Sequence, residues 1–119
     1  MKTYTTGEVG QRPWGCWQVL DAMDKAIVKK IQVNPGHRLS LQKHNHRAET
    51  WSIAAGVATV ECDGVISVLQ TGDSIHLPLG SIHRVTNNHD EALVFIEIQM
   101  GDILAESDIE RFEDDYKRV

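Results

Sequence analysis

Two stretches decide how the chain folds: Gly36–Gly56, GHRLSLQKHNHRAETWSIAAG, and Gly72–Asn87, GDSIHLPLGSIHRVTN. In the first, Gln42, His44 and His46 recur at every second residue, so an extended backbone sends all three side chains off one face. Glu49 follows after a bend, and Gly56 closes the segment. In the second, Pro78 and Gly80 mark a turn that delivers His83 onto the next strand, with Asn87 beyond it. Segments remote in sequence thus bring nitrogen and oxygen donors to neighbouring strands, which is what a metal site on a β-scaffold requires.

Working outward, the flanking segments read as more strands. Ala26–Val33 is β-rich, with Ile27, Lys29, Ile31 and Val33 on one face and Val28, Lys30 and Gln32 on the other. Trp17–Leu20 predicts a short strand before it, and Asn34, Pro35 and Gly36 break the chain after it. Trp14 and Trp17 are expected in core or lid packing, because large rings mostly serve burial. Beyond Gly56, the dipeptide Asp63-Gly64 between β-branched runs predicts a tight hairpin. Val65–Leu69, Ser74–Leu77, His83–Thr86 and Ala92–Met100 complete the set. Short strands with turns every eight to twelve residues indicate an all-β sandwich or closed barrel. Residues 1–12 read as an N-terminal arm. In the C-terminal tail, 102–119, Ser107 and Glu110 have capping-box spacing ahead of Phe112, which predicts one short helix.

A length of 119 residues fits one domain, and 41% hydrophobic residues suffice for a core. The net charge of −5, with no block of Lys or Arg, argues against a nucleic-acid partner. Cys16 and Cys62 lack CxxC spacing, and the N-terminus MKTYTTGEVGQR carries no apolar leader, so a reducing cytoplasm is expected. The longest apolar run, Ala92–Ile98, is too short to cross a bilayer and is interrupted by Glu97. A soluble protein without membrane contact is expected.

Gly36, Gln42, His44, Glu49 and Gly56 resemble the first motif of the cupin superfamily, with glutamine in place of its first histidine. Gly72, Pro78, Gly80, His83 and Asn87 match the second motif at every position. Within cupins, RPWG at Arg12–Gly15, LSLQKHNHRAETW at Leu39–Trp51, PLGSIHRVTN at Pro78–Asn87 and DIERFEDDY at Asp108–Tyr116 resemble the type II mannose-6-phosphate isomerase domain. Thr50 and Lys117 depart from that family, which often has histidine and usually has glycine there. The resemblance implies a double-stranded β-helix, or jelly-roll barrel, that commonly pairs as a homodimer. It also implies an enzyme interconverting mannose 6-phosphate and fructose 6-phosphate. The pyrophosphorylase domain that commonly precedes it is not in this sequence, so GDP-mannose synthesis is not expected of this chain alone.

Gln42, His44, Glu49 and His83 offer two nitrogens and two oxygens without a thiolate, a set that suits one divalent ion, zinc first, then Mn²⁺, Co²⁺, Ni²⁺ or Fe²⁺. His46 could replace Gln42 as a ligand. Aldose–ketose interconversion needs a base to carry a proton between neighbouring carbons, and His46, Glu97 and Lys43 are the candidates in that order. Glu97 and Gln99 alternate with Phe95, on a face that meets either the site or solvent. The substrate phosphate needs cations; Arg47 and Arg84 come first, by their closeness to the ligand run, and Arg12 and Arg111 second, through the motifs they sit in. His37, His76 and His89 carry no functional assignment. Two other readings use the same residues: a metal-dependent cupin oxygenase, and a sugar- or metal-binding module without chemistry.

Overall fold

Period-two alternation in the sequence becomes two antiparallel sheets. The computed structural model describes residues 3–118, so Met1, Lys2 and Val119, parts of the predicted arm and tail, lie outside the described residues. The strands are β1 (Val9–Arg12), β2 (Gly15–Ala22), β3 (Ala26–Val33), β4 (Leu41–Lys43), β5 (Arg47–Ala55), β6 (Ala58–Cys62), β7 (Val65–Leu69), β8 (Ser74–Leu77), β9 (His83–Thr86), β10 (Leu93–Gly101) and β11 (Glu110–Glu113). One sheet runs β1-β2-β3-β10-β5-β8 and the other β11-β4-β9-β6-β7. Among the described residues no helix is long and apolar enough to cross a membrane.

Every second residue of the central strands points between the sheets. On β3 these are Ile27, Lys29, Ile31 and Val33, on β10 Leu93, Phe95, Glu97 and Gln99, and all eight are buried. Registers Phe95↔Ile31 and Glu97↔Lys29 place apolar opposite apolar and an acid opposite a base. Trp51, Ile53, Val60 and Val85 join from β5, β6 and β9. Burying each such side chain stabilises by roughly 2 kcal/mol, before the conformational entropy it loses.

The Asp63-Gly64 hairpin forms as expected, with φ 49° and 82° at its two residues. Positive φ at both central positions gives a turn whose twist matches the strands it joins. Gly56, at φ 81°, turns the chain beside β10, where a Cβ would come 2.8 Å from the Ala92 carbonyl oxygen. Lys117 adopts φ 60°. That is the position where the resemblance expects glycine.

Three local expectations are corrected. Part of the predicted arm is strand: β1 pairs with β2 from Val9↔Gln18 to Arg12↔Gly15. The predicted C-terminal helix is absent, because Glu110–Glu113 pairs instead with β4, through Glu110↔Lys43 and Arg111↔Gln42. A helix cap contributes only about 1 kcal/mol, and covering a bare strand edge outweighs it. Strand β4 also ends at Lys43, so the alternation through His46 fails. The turn after it is held by the Asp108 carboxylate, which accepts from the amides of Asn45 and His46 at 3.0 Å each.

Candidate metal centre

Three side chains from three segments converge in the barrel. His44 follows the end of β4, Glu49 projects inward from β5, and His83 opens β9. One donor atom from each lies within 4.8 Å of the others, and all three residues are buried. Gln42 stands opposite His83 in the β4–β9 register, and its Oε1 accepts from the Ser40 hydroxyl at 3.0 Å.

Each donor is oriented by a second contact. His44 Nδ1 lies 2.6 Å from the Asp108 carbonyl oxygen, and a carbonyl only accepts, so Nδ1 carries the proton and Nε2 the lone pair. Glu49 Oε1 accepts from Trp51 Nε1 at 2.8 Å, and Oε2 accepts from Arg47 Nε at 2.8 Å. The Ser81 hydroxyl is 3.4 Å from His83 Nδ1, while His83 Nε2 is buried with no partner. An orphaned buried nitrogen costs about 1–3 kcal/mol, so this atom marks where a ligand belongs. Two imidazoles, a carboxylate and a nearby amide carbonyl fit a borderline divalent ion.

The electrostatics divide the groups by role. Burial opposes a charge on Glu49, yet the Arg47 guanidinium, aided by hydrogen bonds from Trp51 and Arg47, holds its carboxyl below the usual range. Burial and then the charge of Glu49 push Glu97 up to about 7. The two carboxyls are in hydrogen-bond contact, and Glu97 is the one of the pair that exchanges a proton around neutrality, while Glu49 stays ionised. Gln99 Nε2 donates to Glu97 Oε2 at 2.9 Å. His44 is lowered to about 4 by burial and by Arg47, and His83 to about 4 by burial and by His44, so both are neutral at pH 7. Neutral imidazole is the ligating form.

A cleft of about 50 Å³ reaches this cluster, lined among others by Gln42, His44, Arg47, Glu97, Lys29 and Arg12. Glu49 and His83 are not in its lining. Arg111 and Arg118 border it as well, and Arg111 Nε has no partner.

Of the candidate bases, Glu97 lines the cleft. His46 is exposed in the turn, and Lys43 faces outward, 3.6 Å from Glu110. Of the candidate phosphate cations, Arg12, Arg47 and Arg111 border the cleft. Arg47 is buried against Glu49, and Arg84 bonds the Leu39 carbonyl and Glu113 on the far side of the sheet.

Sequence reasoning missed Lys29, Glu106, Asp108 and Arg118. Lys29 Nζ donates to the Tyr4 hydroxyl and to Glu106 Oε2, each at 3.0 Å, and lies 4.0 and 4.1 Å from the Tyr4 and Trp17 ring centres. Burial lowers its pKa, while Glu97 and Glu106 pull the other way. Its place among Ile27, Ile31 and Val33 was the available signal. Asp108 opens the DIERFEDDY motif, which was the signal available for it; nothing local distinguishes Glu106 or Arg118.

Comparison with known proteins bears on the fold and the family. The chain is 46% identical over 108 residues to "Mannose-1-phosphate guanylyltransferase" of Escherichia coli, covering 91% of this chain and 23% of that protein. It is also 46% identical over 108 residues to "Alginate biosynthesis protein AlgA" of Pseudomonas aeruginosa, covering 91% and 22%. The chain therefore spans less than a quarter of the curated relatives it matches. A Klebsiella pneumoniae protein with a double-stranded β-helix domain superposes with a TM-score of 0.71 at 20% identity, covering 93% of this chain and 90% of that one. The two sheets thus share the double-stranded β-helix fold. With residues 2–114 matching its description, "Mannose-6-phosphate isomerase C-terminal", the chain belongs to that cupin-type family.

Proposed function

We propose that the protein is a metal-dependent aldose–ketose isomerase that interconverts mannose 6-phosphate and fructose 6-phosphate. The observation that carries this reading is a cleft bordered both by His44, one of three clustered candidate metal donors, and by a buried carboxyl, Glu97. Family membership supports it, as does the neutral state of both histidines.

The reaction moves a proton between C1 and C2 through an enediolate. His44, Glu49 and His83, with the Gln42 carbonyl beside them, would hold a divalent ion, which when bound would supply electrophilic polarisation of the sugar oxygens. Glu97, poised at about 7, takes the proton from one carbon and returns it to the other. Its neighbour Gln99 orients the carboxyl by donating to Oε2. The substrate's reacting carbons would sit in the cleft beside Glu97, with the phosphate at the arginines that border it. There Arg12 and Arg111 are joined by Arg118. Arg118 is paired with Asp114 and Arg12 with Glu106. Arg111 Nε has no partner, and its charge is disfavoured by burial and then by Arg118, with Asp114 and Glu106 opposing, so Arg111 is the first choice to meet an anion.

The guanylyl transfer that names the Escherichia coli relative is not assigned to this chain, which covers 23% of that protein. Isomerisation is tested by coupled assay of mannose 6-phosphate with added Zn²⁺, Mn²⁺ or Co²⁺. Activity should vanish with chelator, and Glu97→Gln should lower kcat by ~10²-fold or more with little change in KM. Wild-type turnover in Glu97→Gln, or turnover that survives complete chelation, would refute the reading.

A further inference from the structure

We propose that Arg47 is an internal counter-cation that occupies the metal's donor atoms in the metal-free protein and leaves them when a divalent ion binds. The proposal rests on the metal centre described above. Arg47 Nε donates to Glu49 Oε2 at 2.8 Å, and a terminal nitrogen lies 3.4 Å from His44 Nε2. Those two acceptor atoms are only 3.2 Å apart. One guanidinium therefore covers two of the three donors.

The chemistry makes the two cations exclusive at His44. Its Nδ1 proton is committed to the Asp108 carbonyl, which leaves Nε2 a single lone pair. That lone pair can accept an Arg47 N–H or bind an ion, but not both. At Glu49 the conflict is electrostatic, because a guanidinium and a divalent ion on the same buried oxygen repel. Arg47 borders the cleft beside His44, whereas Glu49 and His83 do not.

A place for the displaced group is already present. The other terminal nitrogen donates to the Ala105 carbonyl at 3.3 Å, and Glu97 is a second nearby acceptor whose charge favours a protonated Arg47. Arginine does not lose its proton in proteins, so Arg47 can yield the site only by moving. A histidine or lysine there could yield it by titration.

The test uses zinc alone and two readouts that do not depend on turnover. Calorimetric titration into chelator-stripped protein should show Arg47→Met binding Zn²⁺ at least ~10-fold tighter than wild type, with Arg47→Lys between them. In wild type labelled at arginine nitrogen, the Nε–Hε resonance missing from Arg47→Met should shift or vanish by one equivalent of Zn²⁺. Equal or weaker zinc affinity in folded Arg47→Met overturns the proposal, and so does an Arg47 resonance unmoved at saturation. Should Arg47→Met not fold, the wild-type resonance decides. Tight wild-type binding with Arg47 in place sinks this inference alone. Zinc bound by neither protein sinks the metal centre with it.

Discussion

The barrel interior has two ends built by the same alternation and held together by different physics. Along β10 the inward residues are Leu93, Phe95, Glu97 and Gln99, and on antiparallel β5 they are Ile53, Trp51, Glu49 and Arg47. Pairs Phe95↔Ile53 and Gln99↔Glu49 keep apolar beside apolar and polar beside polar. In the dry end each side chain is stabilised by area removed from water, and a neighbour of similar shape would serve. In the polar end burial is a cost, and each group is tolerated because a specific partner offsets it. Trp51 joins the two, with its ring 4.8 Å from Phe95 and its Nε1 on Glu49. Alternation thus decides which residues point inward, and pairing decides which polar ones survive there.

The largest effect should come from the dry end. Phe95→Ala is expected to cost about 3–5 kcal/mol by urea denaturation, since Phe95 is fully buried. Zinc should still raise its melting temperature, because no donor is touched; loss of that response would show that the ends are not separable.

Glu49→Gln preserves shape and tests pairing. It should cost about 2–3 kcal/mol, less than removal of the side chain, because Gln can still accept from Trp51 while Arg47 loses its anion. It should also abolish the zinc-induced rise, which for the wild type is about 2.7 kcal/mol at a hundredfold excess over Kd. A retained rise would remove Glu49 from the ligand set.

The smallest effect is pH dependence without metal. His44 and His83, lowered from 6.5 to about 4, refuse protons in the fold that the unfolded chain binds below pH 6.5. Their contribution is whole above 6.5 and lost as pH falls toward 4. Glu97, raised from 4.5 to about 7, acts oppositely, because the fold keeps a proton the unfolded chain releases. Two protons against one leave a net loss on acidification between pH 6.5 and 4.5, on the order of 1 kcal/mol per pH unit. Thermal melts in chelator across that range measure it. Flat or rising stability on acidification would mean that the polar end is better solvated than its burial indicates.

Much of the fold and part of the site were legible in the residues. Strands β3, β7, β8 and β9 lie where alternation and turn residues put them, and Asp63-Gly64 makes its hairpin. The convergence of His44, Glu49 and His83 followed from spacing across two segments. Lys29 was half legible, since its side chain shared a face with three aliphatic ones. His46 misled because alternation persists only while the chain stays extended, and Asp108, over sixty residues away, bends it there. Ser107 and Glu110 misled because a capping pattern is local, whereas the bare edge of β4 that claims Glu110–Glu113 belongs to another part of the chain.

The sequence by itself determined an all-β barrel and the residue types of a candidate divalent-metal site, because both are written in short-range periodicity and turn chemistry. Only the tertiary structure decided that Glu97 and Lys29 face the cleft, that Asp108 sets the His44 tautomer, and that Arg47 sits on the donor atoms. Those depend on which strands meet and how deeply water is excluded, and long-range pairing fixes both.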